Sequence, residues 1–306
     1  MIRIKQILCP IDFSAFSRHA FDRAVGLARG YGATIAVLHV LPVPSAVPAV
    51  PFGPEGPGPF GFQIVDQERT LKEIPRFLAV ESGVDVPITY HVTESPSVQK
   101  EIVLQARTLS ADLVVLGSHG RSGFDRLMLG SVAEKVLRSC PTPVMTVPSH
   151  APDVVPITRD PFRRILYATD FSSGANAALP YAASFAQHAA AQLIFMHVVE
   201  PIPIGYDPMA GISFDVAAYH AELEKNARAR LRTVVPESIR LGCDTEDVVT
   251  TGKPYVEILR AADERLIDLI VVGVHGRNAL DRLVFGSTTE HLVRRATCPV
   301  LTVREG

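Results

Sequence analysis

A fifteen-residue glycine-rich string occurs twice in the chain, and its spacing suits the binding of an anion. The first copy is GSHGRSGFDRLMLGS at 117–131 and the second is GVHGRNALDRLVFGS at 273–287, with nine of fifteen positions identical. Each copy follows a short apolar run and precedes an amphipathic segment, which predicts a strand, a loop and the start of a helix. Glycines let backbone amides approach a ligand closely, and the first amides of a helix lack intrahelical partners. The repeated string therefore predicts a phosphate cradle in each half of the chain.

Polar side chains within these strings offer further contacts, although several have a purely structural alternative. The arginines that could add positive charge near a phosphate are Arg121, Arg126, Arg277 and Arg282. The Ser-x-x-Glu spacing at 131–134 and 287–290 is that of a capping box, which closes a helix without any ligand. His119 and His275 lie inside the loops but have no evident nucleophile or acidic partner nearby in sequence. We therefore predict no catalytic residue here.

Two aspartates and two His-Val pairs follow apolar runs at matching places in the two halves. Asp12 lies in the string PIDFS and Asp170 in ATDFS, while His39-Val40 and His197-Val198 end the next apolar run. A carboxylate beside a phosphate cradle could bind a ribose hydroxyl or a phosphate-bound magnesium ion, and its structural alternative is an Asx turn before a helix. The valines either line an adenine pocket or belong to the core. The histidines are interpreted first as strand-end residues bonded to backbone.

The order of apolar runs and amphipathic segments predicts a duplicated α/β domain. The two copies are offset by 158 residues at Asp12 and Asp170 and by 156 at Gly117 and Gly273. We predict domains at 1–148 and 162–306, joined by a proline-containing linker at 149–161, with a proline- and glycine-rich insert at 42–61. Each domain is expected to be doubly wound, with helices on both faces of a five-stranded parallel sheet in the order 3-2-1-4-5. That order places the first and fourth strands side by side, so the aspartate and the glycine loop would share one crevice.

Composition excludes several classes of protein. The 306 residues carry a net charge of −2, with 47% hydrophobic and 20% charged residues, which is ordinary for a globular protein and gives no basic excess for nucleic acid. The four cysteines are scattered and contain no C-x-x-C pair, which favours a reducing cytoplasm over a disulfide framework or zinc site. No apolar stretch reaches eighteen residues, so we expect no membrane span. A Walker-type loop is absent, and the G-x-G-x-x-G match at 56–61 lies in the insert rather than between strand and helix.

Taken together, these strings resemble the universal stress protein family, as a tandem two-domain member. The resemblance is carried by PIDFS and ATDFS, LHV and MHV, the two Gly-x2-Gly-x9-Gly-Ser loops, and the closing strings CPTPVMTV and TCPVLTV. The glycine loops are similar to those of the ATP-binding branch of the family. The resemblance implies the α/β fold with five parallel strands and a bound ATP in each domain.

The resemblance also implies a set of cofactor-binding residues. In the first domain these are Asp12, Val40, Gly117, His119, Gly120, Gly130, Ser131 and Val132. In the second domain they are Asp170, Val198, Gly273, His275, Gly276, Gly286, Ser287 and Thr288. Asp12 and Asp170 are the candidates for holding magnesium through the phosphates. Ile11 in place of Thr169, and Val274 in place of Ser118, are small departures that leave a backbone-lined loop intact.

Assembly and function are further expectations from the resemblance. The final strands, Pro143 to Val147 and Pro299 to Val303, are expected to pair across a pseudo-two-fold axis, and a homodimer of the whole chain is left open. The leading hypothesis is a cytoplasmic stress-response protein that holds one ATP per domain as a sensor or switch. The alternatives are a slow ATPase or phosphotransferase and a nucleotide-free scaffold for other proteins.

Overall fold

The computed structural model describes residues 2–43, 67–79, 85–119, 129–148, 162–201, 216–274 and 286–305. Several predicted features lie outside these ranges. They are Gly120, His275, Gly276, the four loop arginines, most of the 42–61 insert and the 149–161 linker. For these residues the sequence-based expectations stay predictions.

Strands and helices alternate through both halves of the described chain. The strands are β1 (Gln6–Ile11), β2 (Thr34–Pro42), β3 (Ile88–Ser95), β4 (Leu113–Gly117), β5 (Val144–Val147), β6 (Arg164–Ala168), β7 (Gln192–Val199), β8 (Thr245–Thr251), β9 (Leu269–Gly273) and β10 (Val300–Val303). The helices are α1 (Ala15–Tyr31), α2 (Gln67–Phe77), α3 (Val98–Thr108), α4 (Ser131–Ser139), α5 (Ser173–Ala189), α6 (Val216–Val234), α7 (Glu237–Gly242), α8 (Pro254–Glu264) and α9 (Ser287–Arg295).

The described strands form one ten-stranded sheet in the order β3-β2-β1-β4-β5-β10-β9-β6-β7-β8. Within each half the order is third, second, first, fourth and fifth, and all neighbouring strands of a half are parallel. The predicted fold, two tandem doubly wound α/β domains with the order 3-2-1-4-5, is confirmed.

Helices cover both faces of this sheet, so the central strands are buried on both sides. One apolar layer lies between the sheet and α1, α2, α5 and α6, and it includes Phe21, Phe185 and Leu231. The other lies under α3, α4, α8 and α9 and includes Val136 and Leu292. Burial on two faces explains why the central strands read as continuous apolar runs rather than alternating ones.

The helices that follow the first strand of each half begin and end at defined residues. Ser14 is the N-cap of α1, its Oγ accepting from the amide of Ser17 at 3.2 Å, and the helix ends at Gly32 with φ of 65°. Ser172 caps α5 in the same way, and that helix ends at Ala190, also in the left-handed region with φ of 48°. The N-terminus of each helix therefore lies two residues after a candidate aspartate.

A carboxylate sets the register between the first and fourth strands of each half. Asp112, directly before β4, accepts through Oδ2 from the amides of Lys5 at 2.7 Å and Gln6 at 3.0 Å. Asp268, directly before β9, accepts from the amides of Arg163 at 2.7 Å and Arg164 at 2.9 Å. These bonds tie the entrance of one strand to the entrance of the other.

The two halves are joined where β5 and β10 pair in antiparallel fashion. Met145 lies opposite Leu301 at the middle of this ladder. Thr146 and Thr302, both buried, each donate through Oγ1 to a carbonyl of the opposite strand, at 3.3 and 3.1 Å. Two matching threonine bonds about one central pair produce a local two-fold arrangement, and the sheet runs on without a break from one half to the other.

Helices α1 and α5 make a second contact between the halves. The imidazole of His188 stacks on the ring of Tyr31 at 4.2 Å, and its Nε2 donates to the carbonyl of Gly30. Tyr31 also meets Phe185 edge-on at 5.6 Å. The junction thus combines backbone pairing in the sheet with aromatic packing in one helical layer.

The described chain also contains a short additional helix, a proline within a helix and four free cysteines. The sequence pattern did not predict α7, a short helix of six residues. Pro75 lies inside α2, two residues before that helix ends. All four cysteines are free, as expected from their scatter. Among the described residues, no helix has the length and apolarity needed to cross a membrane.

Replacing Leu301 by alanine should weaken the joined sheet. The side chain is fully buried at the middle of the β5–β10 ladder, so its loss leaves a cavity and should lower the free energy of unfolding by about 2–5 kcal/mol. Urea unfolding measures this change. Leu241→Ala, at a position 82% exposed, is the matched control and should change stability by less than about 0.5 kcal/mol. Equal changes in stability for the two variants would show that burial of the Leu301 side chain at this ladder does not stabilise the chain.

Candidate functional site

The carboxyl ends of neighbouring strands bring the candidate aspartates beside the glycine loops. The register between β1 and β4, carried to the strand ends, places Ile11 level with Gly117. The register between β6 and β9 likewise places Thr169 level with Gly273. Each aspartate directly follows Ile11 or Thr169, so it lies next to the residue from which its loop departs. The structure therefore brings each aspartate next to the residue at which its glycine loop begins.

Each aspartate makes the Asx turn that was its structural alternative. Asp12 Oδ1 accepts from the amide of Ser14 at 3.1 Å, and Asp170 Oδ1 accepts from the amide of Ser172 at 3.0 Å. Asp12 Oδ1 also accepts from the hydroxyl of Ser14 at 2.5 Å. These local bonds orient the carboxylate, and an ionised carboxylate has about four acceptor positions. No group of three or more His, Cys, Asp or Glu within the described residues is arranged to hold a metal ion. A magnesium ion at these aspartates would therefore depend on phosphate oxygens for its other ligands.

The helices that follow the glycine loops begin without a side-chain cap among the described residues. The N-caps of α4 and α9 are Gly130 and Gly286, and neither start shows a side-chain cap bond. Ser131 and Ser287 are the first helical residues and are exposed. The predicted capping boxes are wrong, because each serine stands one position too late to cap its own helix. The first amides of these helices have no intrahelical partner and carry the positive end of the helix dipole.

The glutamates expected to complete those boxes instead form ion pairs across the junction. Arg138 contacts Glu134 of its own helix at 3.1 Å and Glu290 of the other at 3.9 Å. Arg294 contacts Glu290 at 2.7 Å and Glu134 at 3.8 Å. Each carboxylate in the first turn of α4 or α9 thus forms ion pairs with two arginines, one from each domain. A negative charge that would repel a phosphate at the helix start is offset in this way.

The base of each glycine loop is closed by a backbone hydrogen bond. The carbonyl of Ser118 accepts from the amide of Gly130 at 2.8 Å, and the carbonyl of Val274 accepts from the amide of Gly286 at 3.1 Å. The chain therefore leaves the strand and returns to the helix at one point. Whatever path residues 119–129 and 275–285 take, both ends of each loop lie beside the helix N-terminus.

The strand-end glycines are required for a reason that the sequence pattern did not indicate. A Cβ atom on Gly117 would lie 3.0 Å from the backbone and Cβ of Phe16 in the first turn of α1. A Cβ on Gly273 would lie only 2.5 Å from the carbonyl carbon of Gly174 in α5. These glycines were expected to admit a ligand, but what approaches them in the structure is a helix. Their absence of a side chain lets that helix start lie against the loop base.

The histidine and valine at the end of the second strand have separate surroundings. His39 Nδ1 donates to the carbonyl of Ile11 at 2.9 Å, and His197 Nδ1 donates to the carbonyl of Thr169 at 2.7 Å. The histidines are bonded to backbone, as first interpreted. Val40 and Val198 are buried in the apolar layer with α3 and α8. The valine side chains therefore belong to the core next to the strand ends.

The two candidate sites differ in the side chains next to the loop base. In the first domain the Oγ of Ser118 lies 2.8 Å from Nδ1 of His119, and the ring of His119 packs against Phe16 at 5.4 Å. The corresponding positions of the second domain are Val274 and, in α5, Gly174. The hydroxyl of Ser118 is thus replaced by an apolar side chain, and the ring of Phe16 by a glycine whose backbone closely approaches Gly273.

The second domain adds hydroxyl groups that the first domain lacks. Thr169 Oγ1 accepts from the amide of Phe171 at 2.9 Å, and Thr289 Oγ1 donates to the carbonyl of Gly273 at 2.9 Å. Tyr167 donates its hydroxyl to the carbonyl of Ala175 at 2.8 Å, and burial raises the pKa of this hydroxyl to about 12. Tyr167 is therefore a neutral donor at physiological pH and ties the first turn of α5 to the sheet.

A family model places this arrangement among known proteins. The model described as the universal stress protein family matches residues 3–148 and again 161–304. The chain belongs to the universal stress protein family. Each copy of the match includes one of the two candidate aspartates, one of the two strand-end histidines and one glycine loop.

Two relatives of this universal stress protein match it across both domains. A universal stress protein of Synechocystis is 26% identical over 319 residues, covering 98% of this chain and 100% of the relative. One of Mycolicibacterium smegmatis is 28% identical over 312 residues, covering 97% and 96%. The crystal structure of a universal stress protein from Archaeoglobus fulgidus matches with a TM-score of 0.66 at 21% identity, covering 100% of both chains. At that identity the structural likeness supports the fold alone.

Alanine at Gly273 should destabilise this universal stress protein more than alanine at Gly117. The new methyl group would meet the α5 backbone at 2.5 Å, so that helix must move, and we expect a loss of about 1–3 kcal/mol in the free energy of unfolding. Gly242→Ala is the matched control, because its methyl group would meet only the flexible end of Gln187. Urea unfolding of the three variants checks the order. A Gly273→Ala variant as stable as Gly242→Ala would contradict the close packing at the loop base.

Proposed function

We propose that each domain of this universal stress protein binds one ATP and that the chain acts as a nucleotide-dependent sensor or switch in a stress response. One observation carries the proposal. In both domains, strand register brings an oriented aspartate beside a closed glycine-loop base and a helix start without a side-chain cap among the described residues. Such a start attracts phosphate, and the aspartate can accept from a sugar hydroxyl.

The triphosphate is assigned to the glycine loops and the helix starts. Gly130, Ser131 and Val132 in the first domain, and Gly286, Ser287 and Thr288 in the second, supply amides at the positive end of a helix. The exposed serine hydroxyls can donate to phosphate oxygens because they do not cap their own helices. Gly120, His119, His275 and Gly276 would complete the cradle.

The nucleoside is assigned to the strand ends on the other side of each aspartate. Asp12 and Asp170 would accept from ribose hydroxyls, with a phosphate-bound magnesium ion as the second role for the same carboxylates. Backbone groups at Val40 and Val198 would read the adenine edge, because both valine side chains are buried in the core. The proposal includes a cytoplasmic location and, beyond the two domains of one chain, a homodimer.

ATP with magnesium should stabilise the protein against heat. A ligand at one hundred times its dissociation constant adds about 2.7 kcal/mol, which for domains of this size corresponds to a rise of roughly 5–10 °C in Tm. We expect Asp12→Asn/Asp170→Asn to lose most of this rise, because asparagine keeps the turn bond to the serine amide but lacks the charge. Differential scanning fluorimetry provides the measurement.

A matched control distinguishes the effect of changing the proposed site from the effect of removing any negative charge. Asp85, whose side chain is 73% exposed beside Arg29, is remote from the strand carboxyl ends, so Asp85→Asn should retain the full rise with ATP. A Tm that does not respond to millimolar ATP and magnesium in the unaltered protein would refute nucleotide binding and favour the scaffold alternative. Mass spectrometry of the bound nucleotide after incubation distinguishes the switch from the slow ATPase, because only the latter converts ATP to ADP.

A further inference from the structure

The histidine at the end of the second strand is bonded to the residue directly before each candidate aspartate. His39 lies level with Ile11 in the β1–β2 register, and its Nδ1 donates to the Ile11 carbonyl at 2.9 Å. In the second domain His197 Nδ1 donates to the Thr169 carbonyl at 2.7 Å. A carbonyl can only accept, so Nδ1 carries the hydrogen in both domains. This bond orients the peptide unit that leads into the aspartate.

The residue directly after each aspartate is a phenylalanine in the left-handed region. Phe13 has φ of 61° and Phe171 has φ of 65°, a conformation that is rare for a bulky side chain and persists only where its surroundings hold it. In each domain the ring contacts the same histidine, with centroids 4.8 Å apart for Phe13 and His39 and 4.3 Å apart for Phe171 and His197. The imidazole therefore holds both neighbours of the aspartate.

A helix of the outer layer closes the other side of each phenylalanine ring. Phe77 of α2 meets Phe13 edge-on at 5.2 Å, and the guanidinium of Arg230 in α6 lies 4.5 Å from the centroid of the Phe171 ring. The contact is aromatic in one domain and cation–π in the other, yet both phenylalanines keep a left-handed φ and both domains keep the same histidine and serine bonds. What the two domains share is the histidine, not the helix residue.

We infer that His39 and His197 are positioning residues, which hold Asp12 and Asp170 in the orientation that accepts a ribose hydroxyl of the nucleotide. The inference rests on the proposed ATP binding and adds to it residues that make no contact with the ligand. The imidazole acts on the backbone on both sides of the aspartate, and the Asx turn to Ser14 or Ser172 then sets the carboxylate oxygen. Loss of the imidazole bond turns the carboxylate away while the glycine loop and helix start keep the phosphates.

Two amide replacements test this role with matched chemistry. Asparagine places an amide nitrogen near the position of Nδ1 and can still donate to the carbonyl, whereas glutamine carries the same amide one carbon further out. We expect His39→Gln/His197→Gln to bind ATP about tenfold more weakly and His39→Asn/His197→Asn to bind it nearly as the unaltered protein does. Isothermal titration calorimetry with ATP and with 2′,3′-dideoxy-ATP measures both. The dideoxy nucleotide lacks the hydroxyls, so its affinity should be the same in all three proteins.

Distinct results overturn the inference and the proposed function. An equal loss of ATP affinity with asparagine and glutamine, or a loss shared by the dideoxy nucleotide, refutes the positioning role alone. Failure of the unaltered protein to bind ATP refutes the proposed function and the inference with it. If the glutamine variant does not fold, His39→Leu/His197→Leu, which has no donor, takes its place: a fall in its ATP to dideoxy-ATP affinity ratio supports the inference, and an unchanged ratio refutes it. His188→Asn, whose shorter side chain removes the Nε2 bond to the Gly30 carbonyl at the domain junction, is the control and should leave that ratio unchanged.

Discussion

The pairing of the first strand with the fourth in each domain is the constraint on which both candidate sites depend. These strands are neighbours in space but far apart in the chain, since the bonded residues Lys5 and Asp112 are 107 positions apart. A slip of one residue would turn every side chain to the opposite face and carry Asp12 away from the loop. Asp112 and Asp268 oppose such a slip by binding two successive amides at the entrance of the partner strand. These two carboxylates, at the amino ends of the strands, thus set the alignment of the aspartate and the glycine loop at the carboxyl ends.

The site at the top of the sheet is made mostly of backbone. The loop base is closed by amide and carbonyl groups, the helix starts are capped by glycine rather than by a side chain, and the histidines bind carbonyls. Backbone groups tolerate side-chain change, so two domains with different neighbours can keep one geometry. Glu134 and Glu290 add negative charge in the first turns of α4 and α9, and each forms ion pairs with one arginine from each domain. The domain junction is therefore also part of the electrostatic surroundings of each site.

The two domains reach the same backbone through different contacts. Where the first domain has Phe16 against the loop base, the second has a glycine and a closer helix. Where the first domain has Cys9, whose thiol pKa is raised by burial, the second has Tyr167, whose hydroxyl reaches the carbonyl of Ala175. Substitutions of this kind change packing on one side of the sheet without moving the strand ends.

The sequence by itself determined the duplication, the α/β class and, once a doubly wound strand order is assumed, the place where aspartate and glycine loop meet. These follow from periodicity, glycine and proline positions and the rule that ligands bind where strand order reverses, all of which are readable along the chain. Only the tertiary structure decided what each residue does there. Gly273 is tight because α5 lies against it, Glu290 pairs with Arg138 of the other domain rather than closing a capping box, and His39 holds the two neighbours of Asp12. Those contacts join residues far apart in sequence, and local spacing carries no information on which distant backbone will come within bonding distance.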